Sequence, residues 1–497
     1  MLDWIRAIIQ KILHLSKQLD DYEKDSVVQA LPSLAYVNRA KKCIANQDFE
    51  QAERILEEAM ELPQEDALVY KYLGMVCERT GRPSEAVISY KKSANINSSD
   101  KDIWRLLGFA LINCGQFEEA LESFENANKV NPANTDVFAG WGMAYMRLKR
   151  YPEAHEKFME AVRLNRYNFM ALLLAAIMEV RLGKYNDADA KLSFLANVSP
   201  NETNTYEYAN LKYIRKDYDS AIFYANKALS FNDKMLPVYL LLGKLYAIKG
   251  QKKESLETYE NAVSKGLAFP HLFFDWAVTL QIFGDYEGAK VQFEKARSIA
   301  PGEEEVSAGL ALTNAYSGNI EEAEHLMQNV RNLKDDNYVY SKATGLIAMR
   351  KGDYTLAISK FKNVTDLMFF DNGLNFLIAQ CYDSINDVSN AKEYYETSLL
   401  NAGDNIDIYL KYSDFLIRNE EFESAQRKLK RAQKIDENNL DVLNLLFHIG
   451  YILVKDNWSE YNMKETLGIA EKILKIDPGS FRYPEEKSDL DNIANNR

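Results

Sequence analysis

The stretch DIWRLLGFALINCGQFEEALESFENANKVNP, from Asp102 to Pro132, decides the fold. Trp104, Leu107, Gly108 and Leu111 fall at helical spacing, Gly115 interrupts, and Phe117, Ala120, Phe124 and Ala127 mark a second helix that Pro132 ends. The small residue at Ala120 then recurs along nearly the whole chain, at Ala52, Ala86, Ala154, Ala188, Ala221, Ser255, Ala289, Ala323, Ala357, Ala391 and Ala425. Successive members lie 34 residues apart, except for one step of 33 from Ala188 to Ala221. A common residue placed at random would not hold that register.

This spacing resembles the tetratricopeptide repeat (TPR), a helix–turn–helix unit of about 34 residues. The resemblance implies an all-α chain, a right-handed α-solenoid superhelix of about twelve to thirteen TPR units. With the recurring small residue set at position 20, helix A carries large residues at position 4 (Trp104, Tyr239, Phe273) and glycine at position 8 (Gly74, Gly108, Gly142, Gly243, Gly345). Glycine inside a helix costs roughly 1 kcal/mol relative to alanine, so each of these needs a reason. Close approach of the paired helix at its own alanine is the one expected. Position 24 of helix B is again large, as at Tyr90, Phe124, Phe158, Tyr259 and Phe361. The missing residue between Ala188 and Ala221 is expected to shorten the turn around Lys216.

Twelve units are read over residues 33–439. A divergent unit with an insertion of about seven residues near Val454–Tyr461 follows over 440–478, where Thr466 takes the small position. Residues 479–497 read as a loose polar tail, and residues 1–32 as an N-terminal amphipathic helix and linker. In that first segment Trp4, Ile5, Ile8, Ile9, Ile12, Leu13 and Leu19 share helical spacing, with Arg6, Lys11 and Lys17 elsewhere. Three readings stand open for residues 1–19: a cap on the first repeat, a helix lying on a membrane surface, or a helix that docks a partner. Lys11 and Asp3 argue against a secretory signal, and no apolar run is long enough to span a bilayer.

The composition of the 497 residues, 47% hydrophobic and 27% charged, fits an ordered protein. A net charge of −13 argues against a broad phosphate-binding face, so nucleic acid is not an expected partner. Cys43, Cys77, Cys114 and Cys381 lie far apart and read as small buried hydrophobes of a reducing, cytoplasmic setting rather than a metal site or disulfides. No GxxxxGK[ST], HExxH, CxxC or GxSxG motif occurs, and the five histidines fall in different parts of the chain. The expectation is a protein with no catalytic residues, no metal and no cofactor.

The resemblance further implies that helix A positions 2, 5, 9 and 12 line a concave groove that takes segments of partner proteins. Among those positions, the third to fifth repeats present Phe109, Ile112, Met143, Met146, Met170, Leu173, Ile177 and Val180. An apolar strip with methionine suits a hydrophobic partner segment, although about half of such residues are expected to pack between repeats instead. Repeats that clamp a chaperone's terminal carboxylate use Lys and Asn, whereas the matching positions here are Lys71, Met75, Leu106, Asp136 and Gly140, and that clamp is absent. The expected function is a protein–protein interaction scaffold or adaptor. The alternatives are a peripheral membrane assembly factor anchored through residues 1–19, or a regulatory subunit of a separate enzyme.

Overall fold

The computed structural model describes residues 32–365, 372–400 and 405–495. Among these the chain is all-helical, with 27 α-helices and no strand. Twenty-six of them pair into thirteen helix–turn–helix repeats, and the last stands alone. The repeats needed below are the third, Ile103–Asn113 with Phe117–Val130, the fourth, Thr135–Arg147 with Tyr151–Leu164, and the fifth, Phe169–Arg181 with Tyr185–Val198. The sixth is Glu202–Ile214 with Tyr218–Phe231. The chain divides into two compact halves, residues 1–231 and 232–497.

In the first twelve repeats, a left-handed residue just after helix A turns the chain into helix B. Gly115 has φ 76°, and the amides of Gly115 and Gln116 return to the carbonyls of Ile112 and Leu111 at 3.1 and 2.9 Å. This satisfies the last helix carbonyls within the turn itself. The same backbone state recurs at Lys149 (φ 59°), Gly183 and Lys216 (φ 62°). Since Gly183 and Lys216 are already 33 apart, the missing residue does not lie in the Lys216 turn. It lies in the link 199–201 between Val198 and Glu202, which has one residue fewer than the link 165–168 of the preceding repeat.

Within a repeat, the glycine of helix A accepts an aromatic ring of helix B rather than its alanine. A Cβ on Gly108 would stand 2.7 Å from Cζ of Phe124, and one on Gly142 would stand 2.7 Å from the ring of Phe158. Ala120 and Ala154 are fully buried on the same B helices, so the paired helices can come close enough for the rings to lie across the glycines. Several A helices of neighbouring repeats also touch one another, as Ile103–Asn113 does Thr135–Arg147, while within each half the B helices pack chiefly on the A helices before and after them. The A helices therefore form the inner layer and the B helices the outer one.

Two repeats of the second half depart from this scheme. Their B helices, Ile320–Met327 and Tyr354–Lys362, have 8 and 9 residues against 14 in Phe117–Val130. After the first of them, Oε2 of Glu304 accepts the amides of Arg331, Asn332 and Leu333 at 3.0, 2.8 and 3.3 Å, replacing the missing helical turn with a capped loop.

The thirteenth repeat, Leu440–Asp456 with Glu460–Ile476, accommodates its insertion by lengthening both helices to 17 residues. The stretch read as a loose tail is ordered instead. A 3-10 turn, Pro478–Ser480, leads to the helix Pro484–Asn495, whose Leu490 is fully buried. Phe481 meets Phe447 edge-on at 5.1 Å, Tyr483 stacks on His448 at 4.7 Å, and Glu486 accepts from His448 Nδ1 at 2.8 Å. The final helix thus covers an apolar face that the last repeat would otherwise leave to water. The amphipathic segment at residues 1–19 lies outside the described residues.

Candidate functional site: the inner face of repeats three to six

The eight residues expected to line the groove divide into two sets. Phe109, Ile112 and Met143 are buried in the core that joins the second to fifth repeats, and Leu173 is buried against Leu192, Leu195 and Tyr208. These four are packing residues, not an open lining. Phe109 shows why: its ring meets Phe124 edge-on at 5.3 Å and reaches over Gly140 of the next repeat, where a Cβ would lie 2.9 Å from Cζ. The bare glycine lets the neighbouring A helix close over the position. Met146, Met170 and Ile177 are only partly buried against the first core, and Val180 against the second, so these four retain surface on the inner layer.

Charged residues that the apolar reading passed over stand among them. Arg79, Arg147 and Arg181 all occupy position 13, the last turn of helix A, in the second, fourth and fifth repeats. Arg105 sits at position 5 of the third. The placing of the three arginines at multiples of 34 residues was the available signal.

Two carboxyls accompany these cations. Tyr90 Oη donates to Glu78 Oε2 at 2.8 Å, while Glu78 Oε1 is sealed from water without a partner. Burial raises Glu78 to about 7, against the opposing pull of Arg105 and Arg79. Glu207, in the sixth repeat, is likewise pushed up to about 7 by burial, with Arg181 and an Asn210 hydrogen bond working the other way. Between them Arg147 stands apart. Burial alone lowers its guanidinium, and its Nε is buried without a hydrogen-bond partner. Nothing acidic offsets the lost hydration of that cation.

The inner positions of the second half are differently furnished. Gln281 donates to Thr313 Oγ1 at 2.8 Å, Lys244 pairs with Asp275 at 3.0 Å, and Arg418 pairs with Asp383 at 2.7 Å. Polar side chains there are engaged with one another. Among the described residues no group of three or more metal-ligating side chains is found, and no helix is long and apolar enough to cross a membrane.

The raised carboxyls set a pH dependence of stability. A carboxyl whose folded value is about 7 keeps a proton that the unfolded chain releases near its ordinary value of 4.5. Its stabilising share is fully present below 4.5 and is lost as the pH rises through about 7. Glu207→Gln is therefore expected to be more stable than the wild type at pH 8, by ~1–2 kcal/mol given its partial contact with water, and equally stable near pH 4.5. Urea denaturation at the two pH values measures this, and a constant difference across them would refute it.

Comparison with known proteins agrees with this architecture. A family model described as the N-terminal TPR repeats region of Psidin matches residues 42–191, and a tetratricopeptide repeat model matches residues 236–264 and 373–405. No curated protein matches the chain. Among solved structures, the crystal structure of the APC/C hetero-tetramer Cut9–Hcn1 is similar at 14% identity, over 97% of this chain and 98% of that one, with a TM-score of 0.57. PilF of Pseudomonas aeruginosa is 22% identical over 41% of this chain and 94% of its own, with a TM-score of 0.37. With the 34-residue register, the paired helices and the repeat models in agreement, the chain is a tetratricopeptide-repeat protein, a helical solenoid.

Proposed function

We propose that this chain is a non-enzymatic cytoplasmic scaffold that assembles a multiprotein complex by holding partner segments on the inner face of its fourth and fifth repeats. The observation that carries the reading is the uneven furnishing of the inner layer. Met146, Met170, Ile177 and Val180 keep open apolar surface in the first half, whereas the corresponding polar groups of the second half satisfy one another. A preformed rigid surface of this kind limits the ordering cost of binding to the partner alone. The tetratricopeptide fold supports a protein-interaction scaffold in general, and four free cysteines fit a reducing compartment.

The test is site-specific photocrosslinking in the protein's own cells, with the photoreactive residue at 146 or 177 on the inner layer and at 122 or 156 on the outer one. The expected result is a discrete set of protein adducts from the inner sites that outer sites do not give. Identical adducts from both faces, or none from the inner sites, would refute the reading.

A further inference from the structure

We infer that the partner segment held by the fourth and fifth repeats is acidic as well as apolar, placing a carboxylate on Arg147 between hydrophobic anchors. The inference rests on the proposed inner-face binding and adds the chemistry of the ligand. Arg147 makes no ion pair or hydrogen bond among the described residues, and its Nε is shut off from water. A guanidinium carries five N–H donors and keeps its charge; here one donor is sealed from water without a partner and no acid stands against the others, so the site is incomplete as it stands.

Other arginines of the same face are differently placed: Arg105 reaches Asp102 at 3.4 Å, and Arg181 acts on Glu207. Arg147 is the member of this row without such a neighbour, and it lies directly after Met146 and in register with Val180–Arg181 of the next repeat. A carboxylate from a ligand would complete it with a bidentate, charge-assisted contact in a partly dry setting. The neighbouring Met146, Ile177 and Val180 would take apolar side chains one helical turn to either side. Glu78 and Glu207 sit with Arg79, Arg105 and Arg181, and Asp102 with Arg105, rather than with Arg147. The chemical match left open is therefore for an anion.

The probe is a set of fluorescent 16-residue peptides sharing one amphipathic leucine frame, with Glu, Gln or Lys at each polar site in turn and amidated or free chain ends. Polarisation is measured on the full chain as wild type, Arg147→Met, Arg147→Lys and the outer-face control Arg163→Met. The expected result is that at least one Glu-bearing peptide binds the wild type ~10-fold more tightly than its Gln counterpart. That preference should fall to less than twofold in Arg147→Met, persist in part in Arg147→Lys and be unchanged in Arg163→Met. A preference confined to the free chain end would identify the carboxylate as terminal rather than a side chain.

Thermal melting supplies a second readout. Arg147→Met is expected to melt at or above the wild-type temperature, since it removes an unpaired, partly buried cation, whereas a structural role for Arg147 would lower it. If peptides bind without an acid preference, or Arg147→Met retains that preference, the inference on acidity falls and the inner-face reading stands. If no peptide of the set binds any variant, the acidic-ligand inference falls, and the photocrosslinks then decide the inner-face reading separately.

Discussion

Phe124→Ala is expected to destabilise the first half by about 3–5 kcal/mol, the cost of emptying a large buried aromatic site. The ring is fully buried and lies over two glycines at once, Gly108 of its own repeat and Gly140 of the next, with Phe109 against its edge. The loss includes the packing within the third repeat and part of its interface with the fourth. In a solenoid, stability is shared between each unit and its neighbours, so the damage should stay local. Hydrogen exchange would accelerate in Ile103–Arg147 and hardly change in Glu202–Phe231. A double-mutant cycle with Gly108→Ala sharpens the test. Alone, that methyl would be driven into the Phe124 ring and would destabilise; beside Phe124→Ala it enters the vacated space. Additive effects, within ~0.5 kcal/mol, would disprove the ring-on-glycine account.

The second large effect is expected at Glu179, which is almost wholly buried between repeats. Its Oε1 accepts from Lys191 Nζ at 2.7 Å and meets His155 Nε2 at 2.9 Å, while Oε2 has no partner. It therefore ties helix Phe169–Arg181 both to its own B helix and to the B helix of the preceding repeat. Removing the carboxylate leaves Lys191, only 21% exposed, as an uncompensated cation. Glu179→Ala should cost about 3 kcal/mol. The pair itself is a different matter, because desolvating two charges consumes most of what their attraction returns. Glu179→Leu with Lys191→Met should recover most of the loss. A double variant as unstable as the single one, by urea denaturation, would contradict this.

The period of 34, the thirteen repeats and the ring and glycine positions were legible because each repeat must bury the same stripe against the same neighbours. What the sequence left open was which apolar positions of helix A remain on the surface. That depends on how closely successive A helices approach, and at Phe109 the approach is set by Gly140, a residue in another repeat. Arg147 was overlooked for a related reason: an arginine at the end of a helix reads as solvated, and only the packed structure shows its Nε sealed away. The final helix escaped notice because 12 residues with one fully buried leucine give too weak a periodic signal to separate from a polar tail. The misplaced deletion has a simpler origin, since a register fixed at position 20 says only that a residue is missing somewhere between Ala188 and Ala221.

The two short outer helices, Ile320–Met327 and Tyr354–Lys362, also bear on how the protein responds to load. A tandem array under tension parts where adjoining turns share least surface, yet here the inner helices Glu304–Tyr316 and Tyr338–Arg350 pack extensively on each other and offset the short outer ones. Pulled from its ends, the second half should therefore stay wound between residues 304 and 350 while turns elsewhere pay out length first. A complex that tugs on this chain would therefore meet a spring thickened on its inside where it is thinned on its outside.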